Sequence, residues 1–240
     1  MDHLAASLLF ATFLLGPLEA LRLVVVGFLA LLAFLLVKQS DLLYQPSAGG
    51  MSRRVKDNPP GMRRPEEVGL THYECVEDLV ADDGTRLAAW MLFSAVPLSA
   101  NGCATFIYLH GNAGNIGHRL DLYKKLMDRL DVNILALEWR GFGESQGMPT
   151  EEGLVKDAMA ALAWLRKPPR RVDPSKIFLF GTSLGGAVSI ALASLNPDVA
   201  LRGLICENSF TNVADMGCAA FPIRMSFLVV YSCLEMESEP

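Results

Sequence analysis

The chain has no surplus of basic charge, no paired cysteines and no histidine after His118. Its 240 residues hold 21 Lys and Arg against 26 Asp and Glu, a formal net charge of −5. A nucleic-acid surface needs the opposite balance. The cysteines, Cys75, Cys103, Cys206, Cys218 and Cys233, are odd in number and widely spaced, with no C-x-x-C pair. That spacing argues against a disulfide framework or a cysteine zinc site. No internal repeat or low-complexity tract is present. Gly111, Gly114 and Gly117 do not have the G-x-G-x-x-G spacing of a dinucleotide fingerprint. No metal or organic cofactor is implied.

What the chain has in excess is an apolar N-terminus. Leu4 to Val37 is almost wholly apolar, broken by Glu19 and Arg22. As one helix it would be about 50 Å long, too long for a single span of a ~30 Å hydrocarbon core. The pattern favours one transmembrane helix over about Leu18–Val37, with Glu19 and Arg22 paired three residues apart on one face. A re-entrant hairpin turning at Gly16-Pro17 ranks second. A cleaved signal peptide ranks third, because no Lys or Arg precedes the run and Leu18-Glu19-Ala20 is a poor cleavage site. Lys38, Arg53, Arg54, Lys56, Arg63 and Arg64 follow the run, which by the positive-inside rule places the domain in the cytosol. Residues 39–70, with Ser-Ala-Gly-Gly and Pro59-Pro60-Gly61, read as a linker over the domain surface. Its basic residues suit either contact with anionic lipid or plain solvation.

From residue 71 onward, strand and helix patterns alternate. Tyr73–Ala81 and Thr85–Phe93 flank Asp82-Asp83-Gly84 as a hairpin at one end of a sheet. Then come strand Ala104–Leu109, helix Arg119–Leu130, strand Val132–Leu137, a helix begun at Thr150, strand Lys176–Phe180, helix Leu184–Leu195 and strand Leu201–Cys206. Such alternation predicts an α/β fold, a mainly parallel sheet with helices on both faces. The polar, glycine-rich clusters 110–115, 138–145, 181–186 and 207–210 all fall at the carboxyl ends of strands. Ligands bind at that edge in such sheets.

One of these clusters is Gly181-Thr182-Ser183-Leu184-Gly185, a Gly-x-Ser-x-Gly nucleophile elbow between a buried strand and a helix of small residues. Ser183 is the candidate nucleophile; the plainer reading is a helix-capping serine. Gly181 and Gly185 leave room around a strained turn. Leu184 lies at the helix N-terminus, so its N–H faces a developing oxyanion. The second donor is expected from the N–H of Asn112, with Gly111 letting the backbone approach a substrate. His110 lies inside that same turn and is read as orienting it rather than as the base. His72 and His118 read as surface residues, Arg140-Gly141-Phe142-Gly143 as a structural turn, and Trp139 as packing.

Together, His110–Asn115, Arg140–Ser145, Gly181–Gly186 and Glu207–Phe210 resemble the alpha/beta-hydrolase superfamily. The run Tyr108–Arg119 is similar to its membrane-anchored branch, that of alpha/beta hydrolase domain-containing protein thirteen with fungal and plant relatives. The resemblance covers about residues 70–222 and implies a serine hydrolase of acyl esters or thioesters, with protein depalmitoylation or lipid ester cleavage as the usual suggestions. Membrane lipid and an acylated protein or lipid ester are the implied partners, on a single-pass endomembrane or plasma-membrane protein. Relatives with a type II anchor place the domain across the membrane, opposite to the charge bias. The triad implied by the resemblance runs Ser, Asp, His. The segment of Asp215 corresponds to a helix in the family, and no histidine follows. The expectation is therefore an incomplete core over 71–225, without its last strands, a divergent tail over 226–240, and weak or no turnover. The alternative is an inactive membrane-tethered binding or regulatory module.

Overall fold

The structure is a computed structural model that describes residues 16–94, 102–168, 172–196 and 199–210. It divides into two units, residues 1–43 and 44–240. The readings for residues 1–15, the 97–102 loop, Cys218, Cys233, Asp215 and the tail lie wholly or mostly outside the described residues.

In the first unit, helix α1 spans Pro17–Leu43. Proline suits the first helical turn because its missing N–H has no intrahelical partner there. Glu19 and Arg22 form the expected ion pair. The helix runs six residues past the predicted end at Val37. Its last turns are polar, and Lys38 pairs with Asp41 at 2.8 Å, so helix length exceeds the apolar run. Pro17–Lys38 is long and apolar enough to cross a membrane.

The second unit is built on one sheet of strands β1 (Tyr73–Val76), β2 (Ala89–Leu92), β3 (Thr105–Leu109), β4 (Asn133–Leu137), β5 (Ile177–Thr182) and β6 (Gly203–Glu207). Their spatial order is β1-β2-β4-β3-β5-β6. The hairpin is antiparallel at one end, with Tyr73 opposite Leu92, and β4, β3, β5 and β6 run parallel. The hairpin strands are shorter than predicted. After Val76 the chain leaves the ladder at Asp78, whose carboxylate accepts from Trp164 Nε1 at 2.6 Å, and only a Val80–Arg86 bridge remains.

Helices α2 (Leu120–Leu130), α3 (Glu151–Arg166) and α4 (Leu184–Leu195) cover the sheet. Phe106, Tyr108, Ile134, Ala136 and Phe180 pack with Leu120, Tyr123 and Met127 of α2. Strand periodicity turns Ile107, Leu109, Leu135 and Leu179 to the opposite face, where α3 and α4 pack on each other. Both faces are thus covered, which is why β3 and β4 are wholly buried and apolar after their first residues, Thr105 and Asn133. The predicted 119–130 helix opens with a 3-10 turn over Ile116–Arg119. Helix α3 starts where expected, with the Thr150 hydroxyl accepting from Gly153 N–H at 3.1 Å.

Residues 44–70, read as a surface linker, belong to this unit. Tyr44, Asn58, Pro65 and Leu70 in this stretch are buried. This stretch makes three 3-10 turns, at Ala48–Gly50, Val55–Asp57 and Pro65–Val68, and forms a packed strap.

Candidate active site

Because β3, β4, β5 and β6 are parallel, residues 110, 138, 183 and 208 emerge at one edge. The β4 crossover returns to the sheet on the far side of β3, which places the topological switch point beside β3.

Ser183 sits between β5 and α4 with φ 54° and ψ −115°. A non-glycine residue in that region costs roughly 1–3 kcal/mol and persists only where its surroundings impose it. Two bonds hold the turn: Ser183 N–H donates to the Glu207 carbonyl at 2.8 Å, and the Ser183 carbonyl accepts from Gly186 N–H at 3.0 Å. Its side chain makes no capping hydrogen bond to α4, which removes the reading of a capping serine. The flanking glycines are required by contact. A β-carbon on Gly181 would lie 2.3 Å from the Gly185 carbonyl oxygen, and one on Gly185 would lie 1.8 Å from that of Leu109. Thr182, just before the serine, donates to Glu207 Oε2 at 3.0 Å and meets the Tyr108 hydroxyl at 3.0 Å. Burial sets the Tyr108 hydroxyl above its ordinary 10.0, against the Thr182 contact, which lowers it.

The turn after β3 comes up against the serine. A β-carbon on Gly111 would lie 3.6 Å from Ser183 Cβ. Leu184 opens α4, so its N–H is among those with no carbonyl one turn earlier to bond. Asn112 is half-buried, and its side-chain oxygen accepts from Gln45 N–H at 3.2 Å.

His110 is fully buried between Trp139 and Phe142. Its Nδ1 donates to the Gly111 carbonyl at 2.7 Å, and its Nε2 lies 3.0 Å from Glu138 Oε1. Both ring nitrogens thus have partners, which commits the imidazole to the turn. Trp139 does more than pack: its Nε1 donates to the His110 carbonyl at 2.9 Å. Glu138 is the residue that sequence reasoning passed over. Fully buried at the end of β4, its second oxygen accepts from Ile116 N–H at 3.1 Å. One carboxylate thus joins both ends of the 110–116 turn. The available signal was an acid directly following the apolar run Ile134–Leu137.

His118 is half-buried and closes a capping box with Asn115. Burial first, and then Arg119, keep its ring below the ordinary 6.5. It therefore stays neutral near pH 7, and Nδ1 accepts from Asn115 N–H at 3.1 Å. His72 is exposed. None of these three histidines hydrogen-bonds to Ser183 among the described residues. The 140–143 turn is structural, as expected: Arg140 donates twice to Asp157 Oδ1, at 2.9 and 2.7 Å, and once to Asp83 at 2.7 Å. No cluster of His, Cys, Asp or Glu among the described residues has metal-site geometry.

The family described as serine aminopeptidase, S33, matches residues 100–232. Over 205 residues the chain is 37% identical to alpha/beta hydrolase domain-containing protein WAV2 of Arabidopsis thaliana, covering 85% of this chain and 61% of that protein. Over 207 residues it is 38% identical to protein bem46 of Schizosaccharomyces pombe, covering 86% and 65%. The chain thus spans less than two thirds of the length of these relatives. Among solved structures, an alpha-beta hydrolase from Vibrio vulnificus matches with a TM-score of 0.63 at 20% identity, over 84% of this chain and 67% of that one. A Pyrococcus furiosus esterase matches at 0.51 and 22% identity, over 69% and 62%.

Proposed function

The chain belongs to the alpha/beta-hydrolase superfamily, and on that premise we propose that it is a membrane-anchored serine hydrolase of acyl esters or thioesters. The observation that carries this reading is Ser183, held at φ 54° on a strand-to-helix turn with no capping bond and with the Gly111 backbone beside it. In this mechanism Ser183 Oγ attacks the acyl carbonyl carbon and gives up its proton to a base. The N–H groups of Leu184 and Asn112 hold the oxyanion, which collapses to an acyl-enzyme and expels an alcohol or thiol. Water then releases the acid. A membrane anchor in the N-terminal helix suits protein depalmitoylation or lipid ester cleavage.

A second reading rests on a specific observation. The histidines of the 240 residues are His3, His72, His110 and His118, and His110 and His118 are tied to the turn beside the serine. Among the described residues no histidine is positioned as a base for Ser183, and without one its attack is slow. We infer weak turnover for these 240 residues, or a tethered module that binds acyl groups without cleaving them.

Labelling with a fluorophosphonate, together with hydrolysis of p-nitrophenyl esters and acyl thioesters, separates the readings. On the hydrolase reading the unaltered chain labels at Ser183 and turns over, and Ser183→Ala abolishes labelling and lowers kcat by ~10³-fold or more. Labelling and turnover that survive Ser183→Ala would sink the nucleophile assignment. A chain that binds acyl ligands but neither labels nor turns over supports the binding module.

A further inference from the structure

The strap over residues 44–64, which follows directly on α1, is bonded to the turn beside Ser183 along most of its length. Gly114 N–H donates to the Pro46 carbonyl at 2.9 Å, and Gln45 N–H donates to the Asn112 side chain. Farther along, Asn115 Nδ2 donates to the Ser52 carbonyl at 2.9 Å and to that of Arg53 at 3.3 Å. The centre of the contact is a reciprocal amide pair. Asn58 Nδ2 donates to Asn115 Oδ1 at 2.8 Å, and Asn115 Nδ2 donates to Asn58 Oδ1 at 2.9 Å.

Both asparagines are fully buried, and every amide proton has an acceptor. The second proton of Asn58 goes to the Met62 carbonyl at 2.8 Å. Asn115 Oδ1 also accepts from Gly117 N–H at 3.0 Å. Each amide therefore closes its own loop and the other's. The approach is close enough that a β-carbon on Gly117 would lie 2.2 Å from the Met62 carbonyl oxygen. Removing one amide leaves the other with unmet polar groups in a buried place.

We propose that Asn58 is a positioning residue of the active site. Through Asn115 it fixes the front of the 110–117 turn, whose back Glu138 holds, and so sets where the Asn112 N–H stands relative to Ser183. This inference rests on the hydrolase reading for its catalytic consequence, while the tie itself does not. The juxtamembrane strap then forms part of the catalytic apparatus, although its residues touch no substrate.

The test uses the full chain in detergent, by hydrogen exchange and by steady-state hydrolysis of a short p-nitrophenyl ester. In the unaltered chain, the Gly114 and Gly117 amides exchange together with the strap; exchange at free-peptide rates overturns the tie without any variant. In Asn58→Ala, the 110–119 peptide exchanges at least ~10-fold faster, with β3 and β5 unchanged. There kcat falls ~10–100-fold while KM stays within about twofold, as for a mispositioned oxyanion donor. A loosened turn with unchanged kcat, or an equal rise in KM alone, overturns the positioning role. If the unaltered chain shows no turnover, the hydrolase reading fails separately. Exchange then decides the tie: faster exchange in Asn58→Ala upholds it, and unchanged exchange overturns it.

Discussion

Two glycines a few ångströms apart at the serine have opposite tolerances. A methyl group at Gly185 would sit 1.8 Å from the Leu109 carbonyl oxygen. Only movement of β3 or α4 could relieve that overlap. Gly185→Ala should therefore lower stability by about 3 kcal/mol or more, read by urea denaturation. At Gly111 the added methyl would meet the Thr182 carbonyl oxygen at 3.5 Å and Ser183 Cβ at 3.6 Å, both ordinary contacts. Gly111→Ala should leave stability within about 0.5 kcal/mol yet crowd the space beside the nucleophile. On the hydrolase reading its loss should appear in kcat/KM alone. The same strand-turn-helix pattern shows both glycines in sequence, but their difference depends on which atoms lie opposite.

Among elements, the hairpin and α3 are joined by Arg140, a fork set between Asp157 on the helix and Asp83 in the turn. Burial works against the charged guanidinium, and hydrogen bonds with Asp157 and Asp83 outweigh it, so Arg140 stays protonated. Hydrogen bonds from Arg140 and then Thr85 hold the Asp83 carboxyl well below the ordinary carboxylate value of 3.8. A carboxyl depressed in the fold adds stability above its unfolded pKa, and that stability is lost as pH falls further. The advantage of the unaltered chain over Asp83→Asn should thus be full above about pH 4 and shrink below it, in thermal melts from pH 7 to 2. An advantage that grew on acidification would contradict this linkage. The turn itself was legible from Asp82-Asp83-Gly84; its partner 57 residues away was not.

For the whole molecule, α1 leaves Leu21, Val26, Phe28 and Val37 well exposed, an apolar surface that a bilayer would cover. The full chain should stay with membranes through alkaline carbonate extraction, and a chain beginning at Tyr44 should be released. The division at Leu43 is what makes that cut reasonable. The apolar run, the alternation of strands and helices, and the elbow around Ser183 were all determined by the sequence alone. Each is a local pattern, a periodicity or a short motif whose geometry its own residues impose. The tertiary structure alone decided the strand order, the strap and the fixing of the turn. Glu138 meets His110 from 28 residues away, and Asn58 meets Asn115 from 57. An isolated Glu or Asn has no periodicity to reveal it. Its role follows from burial, which makes every unpaired polar group costly and so selects the partner that folding brings beside it.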